Sequence, residues 1–207
     1  MSSARVAASP SPTAEKCEDA RCARDRIFDT ARELFYRQGI RAVGVETIAK
    51  EAGATKMSLY RHFPSKDELT AQCLEADRLE FNEWWDSVMS PHAGNPRKQL
   101  EALFQAFQSK TCGDDDESRG CPLANAAVEL ADRSHPGWKV VFEHKSDVRE
   151  RLQQLCREMK ARNPRQLGDA LLLLMEGAYM ARLVFDLGGP VQSVSKTAKV
   201  LIEDQLS

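Results

Sequence analysis

The chain has 207 residues, 42% of them hydrophobic and 29% charged, with a formal net charge of −2 at pH 7. That size and apolar content suit one large globular domain or two small ones. No run approaches the roughly 18 apolar residues that a membrane span needs, and the Ala-, Ser- and Pro-rich start lacks the apolar segment of a signal peptide. Residues 1–20 therefore read as a disordered leader of a cytoplasmic protein. The six cysteines (Cys17, Cys22, Cys73, Cys112, Cys121, Cys156) form no C-x-x-C pair and have no histidine at ligand spacing. Free thiols are expected, not a zinc site. The small net charge hides a division. Residues 21–66 hold ten Lys/Arg against five Asp/Glu, a surplus of +5, and residues 67–207 hold seventeen against twenty-three, a net of −6. A basic head on an acidic body presents one end to phosphates.

Alternating strand patterns are absent and apolar residues recur at intervals of three and four, which predicts an all-α fold of about nine helices. The first runs from about Arg21 to Gln38, with Ile27, Ala31, Leu34 and Phe35 as its stripe and Gly39 at the left-handed position beyond its end. A short second helix covers about Val45–Ala52 and stops at Gly53. A third covers Thr55–His62, with Leu59 and Phe63 inward, and Pro64 blocks its continuation. Ser65-Lys66-Asp67-Glu68 is a capping box that opens a long helix to about Val88. After the break at Ser90–Pro96, Asn95 caps a helix carrying Leu100, Leu103, Phe104 and Phe107. The acidic run Asp114–Glu117 reads as a solvated loop ahead of a helix over Pro122–Leu130. Two long helices, Trp138–Ala161 and Arg165–Leu187, precede Gly188-Gly189-Pro190 and a last amphipathic helix ending near Gln205.

The second and third helices are too short to stand alone in water. They need the first as a shared core, built from Ile27, Leu34, Phe35, Val45, Ile48, Leu59 and Phe63. Two such helices joined by a tight glycine turn have helix-turn-helix geometry, whose second helix fits the DNA major groove. With Leu59 and Phe63 inward, Lys56, Met57, Ser58, Tyr60, Arg61 and His62 face out. Thr55 and Lys56 sit at a helix start that favours phosphate, and Lys56 and Met57 are placed to reach base edges. Tyr60, His62 and Lys66 suit the DNA backbone.

The run from Ile48 to Leu69 (IAKEAGATKMSLYRHFPSKDEL), preceded by Ala31-Arg32-Glu33-Leu34-Phe35 and Gly39, resembles the signature of the tetracycline-repressor (TetR) family of regulators. The resemblance covers about residues 22–70. It implies an all-helical homodimer with one head per subunit, a DNA-binding domain over 21–66 and an effector-binding and dimerisation domain over 67–207. It implies operator contacts from Thr55, Lys56, Met57, Tyr60, His62 and Lys66. Val43-Gly44 departs from the Thr or Ser common there in the family, so one backbone contact is expected to be missing or supplied by Thr47.

Beyond residue 70 the resemblance is one of pattern, although Arg119–Glu129 is similar to a segment in one branch of the family. Asn125 and Glu129 lie one turn apart there, either as ligand anchors or as ties between helices. Phe104, Phe107, Trp138, Phe142, Met175 and Tyr179 are candidate lining for a mostly apolar effector, with Asn125 and Arg182 as polar anchors; most serve equally well as core. Leu167, Leu171, Leu174, Met175, Ala178 and Val184, with Val194, Ala198, Leu201 and Leu206, are expected to pair about a two-fold. Two heads so placed would read half-sites about 34–36 Å apart in a near-palindromic operator. An effector that favours heads set too far apart would release DNA, with the Ser65–Val88 helix as lever. No Gly-rich phosphate loop, nucleophile elbow or carboxylate pair is present and only four histidines occur, so neither an enzyme nor a cofactor is expected. The competing reading is a thiol sensor using Cys121 or Cys112, Cys121 lying at a helix start beside Arg119.

Overall fold

Helices supply all the regular structure among the described residues, which in this computed structural model are 12–113, 119–185 and 189–206, with side chains from residue 23 onward. The order is α1 (Pro12–Gln38), α2 (Val45–Glu51), α3 (Lys56–His62), α4 (Lys66–Met89), α5 (Pro96–Thr111), α6 (Pro122–Glu129), α7 (Pro136–Glu158), α8 (Pro164–Phe185) and α9 (Val194–Asp204). Short 3-10 turns at Ser90–His92 and Pro190–Ser193 lead into α5 and α9. The chain divides into two units, 1–69 and 70–207, so the division falls within α4.

In the first unit, α1 starts well before the expected Arg21. Pro12 occupies its first turn, where a missing N–H costs nothing, and residues 13–20 are mostly good helix formers. Residues 12–20 are therefore helical, which corrects that part of the expected leader; residues 1–11 lie outside the described residues, as does the acidic run at 114–117. Ile27, Ala31, Leu34 and Phe35 are buried from α1, Ile48, Ala49 and Ala52 from α2 and its cap, and Leu59 and Phe63 from α3 and its end. Val43, from the loop, is buried in that core while Val45 is only half-buried. The α2–α3 turn depends on Gly53, whose φ of +61° is a conformation that side chains with a Cβ rarely adopt. Its neighbour Ala54 donates its N–H back to the Ala49 carbonyl at 2.8 Å, closing the helix end as a Schellman motif does. Arg26 of α1 donates to the Ala52 carbonyl at 3.2 Å, pinning the same turn from the other side.

In the second unit, α5, α7, α8 and α9 enclose a core of Leu100, Leu103, Phe104, Phe107, Leu152, Leu171 and Ile202. Asn95 caps α5 by accepting from the Lys98 amide at 3.1 Å, as expected, and His135 caps α7 through Nδ1, which accepts from the Gly137 amide at 3.0 Å. Helices α7 and α8 touch at Gly168. A Cβ placed there would lie 2.9 Å from both the backbone nitrogen and the Cα of Gln153, closer than real Cβ contacts come. Beside this seam Arg149 grips Asp169 through two hydrogen bonds of 2.6 and 2.7 Å, and Gln153 adds a third at 2.8 Å. These donors hold the Asp169 carboxyl down at about 2. Gly168→Ala should push α7 and α8 apart and lower stability by about 1–3 kcal/mol; a thermal melt unchanged from the parent would contradict this contact.

Candidate functional site

Helix α3 is positioned by its two ends. Thr55 caps it, Oγ1 accepting from the Ser58 amide at 3.1 Å, and Phe63, fully buried, plugs it into the core against Phe28 with ring centroids 6.4 Å apart. Between these anchors Leu59 is the fully buried residue. Met57 is 83% exposed, Tyr60, Lys56 and Arg61 are also exposed, and Thr47 is exposed on α2. Ser58 is half-buried, its amide committed to the cap.

Two residues expected to touch DNA are drawn in from the exposed face. The Lys66 ammonium donates to the Ile40 carbonyl at 2.5 Å and lies 5.9 Å from the centre of the Phe35 ring. It ties the start of the α1–α2 loop to the first residue of α4. His62 is half-buried with Nε2 enclosed and without a hydrogen-bond partner, so that nitrogen does not face a phosphate. The sequence reading missed Glu46. Its carboxylate takes the Lys56 ammonium in a very short contact across the α2–α3 turn. The hydrogen bond holds Glu46 below the usual carboxylate range and raises Lys56. Both groups are exposed, so phosphate can displace the carboxylate without a large desolvation cost. The reading face is thus a ring of exposed Thr47, Lys56, Met57, Tyr60 and Arg61, with one acid held against its first lysine.

The second unit holds the expected effector and dimer residues. Phe104, Phe107 and Met175 are core, Tyr179 packs edge-on against Phe107 at 4.9 Å, and Arg182 is buried. Trp138 is half-buried beneath Arg133 at 5.7 Å. Phe142 is 64% exposed, so it lines no interior cavity, which corrects its assignment. Asn125 donates to the Arg119 carbonyl at 2.8 Å and so ties the loop ahead of α6. A groove of 450 Å³ instead opens over Trp85, Met89 and Leu155, with Asp147, Glu150 and Arg151 among its polar lining. Leu167, Leu171, Ala178, Val194 and Ala198 are buried within this single chain, and Leu174 and Leu201 pack against the same core. Their own subunit buries the first five and partly covers Leu174 and Leu201. The exposed apolar residues of α8 are Leu173 (72% exposed), Met180, Leu183, Val184 and Phe185.

A three-helix head whose last helix turns its donors to solvent defines a helix-turn-helix protein that binds DNA. A family model described as "Bacterial regulatory proteins, tetR family" matches residues 27–73, and one described as "Tetracyclin repressor-like, C-terminal domain" matches residues 96–198. The chain belongs to the TetR family of transcriptional regulators. It is 29% identical to the HTH-type transcriptional regulator YxaF of Bacillus subtilis, across 88% of this chain and 92% of that protein. It is 26% identical to the HTH-type transcriptional regulator LmrA of the same organism, across 87% and 96%. The crystal structure of SCO4454, a TetR-family regulator from Streptomyces coelicolor, superposes with a TM-score of 0.75 at 28% identity, across 90% of this chain and 97% of that one. No helix among the described residues is long and apolar enough to cross a membrane.

Two measurements follow from these placements. Glu46→Gln should free Lys56 for phosphate, raise promoter-fragment affinity about threefold and steepen its salt dependence by up to about one counterion; a gel-shift titration with unchanged affinity and slope would show that the pair is irrelevant to binding. His144 of α7 is buried edge-on to Phe81 at 4.8 Å, with Nδ1 unpartnered, and burial pushes its pKa down to about 4 from an ordinary 6.5. Its neutral ring stabilises the fold fully above pH 6.5, and that stability drains away as pH falls towards 4 because the unfolded chain takes up the proton first. Between pH 7.5 and pH 5 the loss is about 2 kcal/mol. In urea titrations His144→Leu should remove that part of the pH dependence.

Proposed function

We propose that this regulator is a repressor that holds a near-palindromic operator as a homodimer and lets go when a small, mostly apolar molecule binds within residues 70–207. The observation that carries the proposal is the outward set of α3, a helix with Lys56, Met57, Tyr60 and Arg61 exposed and only Leu59 buried along its length. Lys56 and Met57, nearest its N-terminus, are assigned to base edges, and Tyr60, Arg61 and Thr47 to the DNA backbone.

The homodimer is supported by an apolar stripe left uncovered on α8. Leu173, Gly177, Met180 and Val184 recur at helical spacing and all face solvent in the single chain. Space beside Gly177 is open, so a second helix can approach closely there. An exposed apolar stripe along a 22-residue helix marks an interaction surface, and a two-fold copy of the same stripe is self-complementary. For the effector, Trp85, Met89 and Leu155 offer an apolar floor in a groove of suitable size.

The decisive experiment pairs promoter-fragment binding with solution mass. The parent protein should elute as a dimer at micromolar concentration, and a Lys56→Ala, Tyr60→Ala double variant should remain a dimer but bind promoter fragments at least tenfold more weakly, by about the loss of two DNA contacts. Undiminished binding by the double variant would end the assignment of α3 as the reading helix, and a monomeric parent would end the two-fold operator.

A further inference from the structure

Angles around α3 decide which of its side chains meets the floor of a groove. At about 100° per residue, Met57 stands about 160° from Leu59, the buried residue that fixes the inward side of the helix. Lys56 lies about 60° and Tyr60 about 100° from Leu59, so both leave the helix towards its flanks. Met57 is accordingly 83% exposed, against 43% for Tyr60. Arg61 shares the direction of Met57 but stands one turn further on, past the N-terminal turn with which a recognition helix contacts base edges.

Met57 also differs in chemistry from the rest of this face. Among the described residues of the head, Met57 and Tyr60 are the exposed large apolar side chains, and Tyr60 carries a hydroxyl. Met57 has no donor, and its thioether sulfur accepts only weakly. The fold makes no use of its length. Leu59 and Phe63 fill the core, and Gly53, Ala54 and Arg26 hold the α2–α3 turn. Thr47, Lys56, Tyr60 and Arg61 around it can each bond a phosphate or a polar base edge, and Met57 can do neither.

The floor of the major groove presents hydrogen-bonding groups at every base pair and one apolar group, the C5 methyl of thymine. A methionine pressed against a guanine, adenine or cytosine edge strips water from groups that it cannot bond, which costs affinity. Against thymine its flexible thioether chain packs on the methyl, and both leave water. Resting on the assignment of α3 as the reading helix of a two-fold operator, we infer that Met57 is a specificity residue that reads the C5 methyl of one thymine in each half-site. Uracil differs from thymine by that methyl alone, so a single substitution in the DNA isolates the contact.

The test enriches duplexes from a random pool with the full chain, replaces each thymine of the enriched operator by uracil in turn, and titrates the duplexes by gel shift. The parent should show one thymine per half-site at which uracil weakens binding about threefold, and about tenfold when both half-sites are changed. Met57→Ala should bind the thymine and uracil duplexes alike, whereas Met57→Leu, still apolar and of similar reach, should keep the preference for thymine. An operator in which every thymine tolerates uracil would overturn the methyl contact while leaving the reading helix in place. A uracil penalty that persists in full in Met57→Ala would give the methyl to another residue and overturn the role of Met57. A chain that enriches no sequence overturns the reading helix itself, and the thymine contact falls with it.

Discussion

A helix of seven residues does not persist in water, because too few hydrogen bonds repay the dihedral freedom that its first turn surrenders. Helix α3 is that short, and so is α2, which must hold it. The reading face therefore exists only through side chains that face away from it. Leu59 and Phe63 lock α3 into the buried residues of α1 and α2, and the turn between the two short helices is clamped by Gly53, by the Ala54–Ala49 hydrogen bond and by Arg26. Recognition chemistry is laid over this: with the inward half fixed, residues of the outward half are free to vary without cost to the fold.

The two lysines of the head show how packing sorts one residue type into two roles. Lys56 and Lys66 both lie in the segment that resembles the TetR signature, and both stand at a helix start. Lys66 runs over the Phe35 ring to a backbone carbonyl, where its stem covers apolar surface and its ammonium meets the Ile40 oxygen. Lys56 meets a carboxylate in full solvent, a contact that water and salt weaken and a phosphate can replace. The second unit repeats the contrast in cysteines. Cys156 is wrapped in apolar side chains, whereas Cys121 is met by an ammonium.

Much of this was legible in the sequence because helices are punctuated by residues with few other uses. Asn95-Pro96, Gly39, Gly53 and the Ser65 cap each set a boundary that the structure reproduces, and the helix-turn-helix followed from two short amphipathic runs across a glycine. Contacts that cross a turn were not legible. Glu46 and Lys56 are ten positions apart, and their meeting depends on the angle between α2 and α3. Nor does composition say which side of a wholly apolar helix is inside. Leu171, Leu172, Leu173 and Leu174 follow one another in α8, and only packing against α7 and α9 makes Leu171 core and leaves Leu173 in solvent. The same ambiguity sent Phe142 to an imagined cavity, since an aromatic residue on an amphipathic helix is normally an inward one. The leader was misjudged for a different reason. Its Ala, Ser and Pro content belongs mostly to residues 1–11, and the charged stretch after Pro12 is a respectable helix.

The Lys66–Ile40 hydrogen bond ties the first residue of α4 to the loop that follows α1, while Ser65 caps α4 by accepting from the Glu68 amide at 3.0 Å. A force applied along α4 therefore arrives at the Ile40 carbonyl as well as at Phe63, on both flanks of the three-helix head at once. The first turn of α4 belongs mechanically to the head, fastened to it at two points.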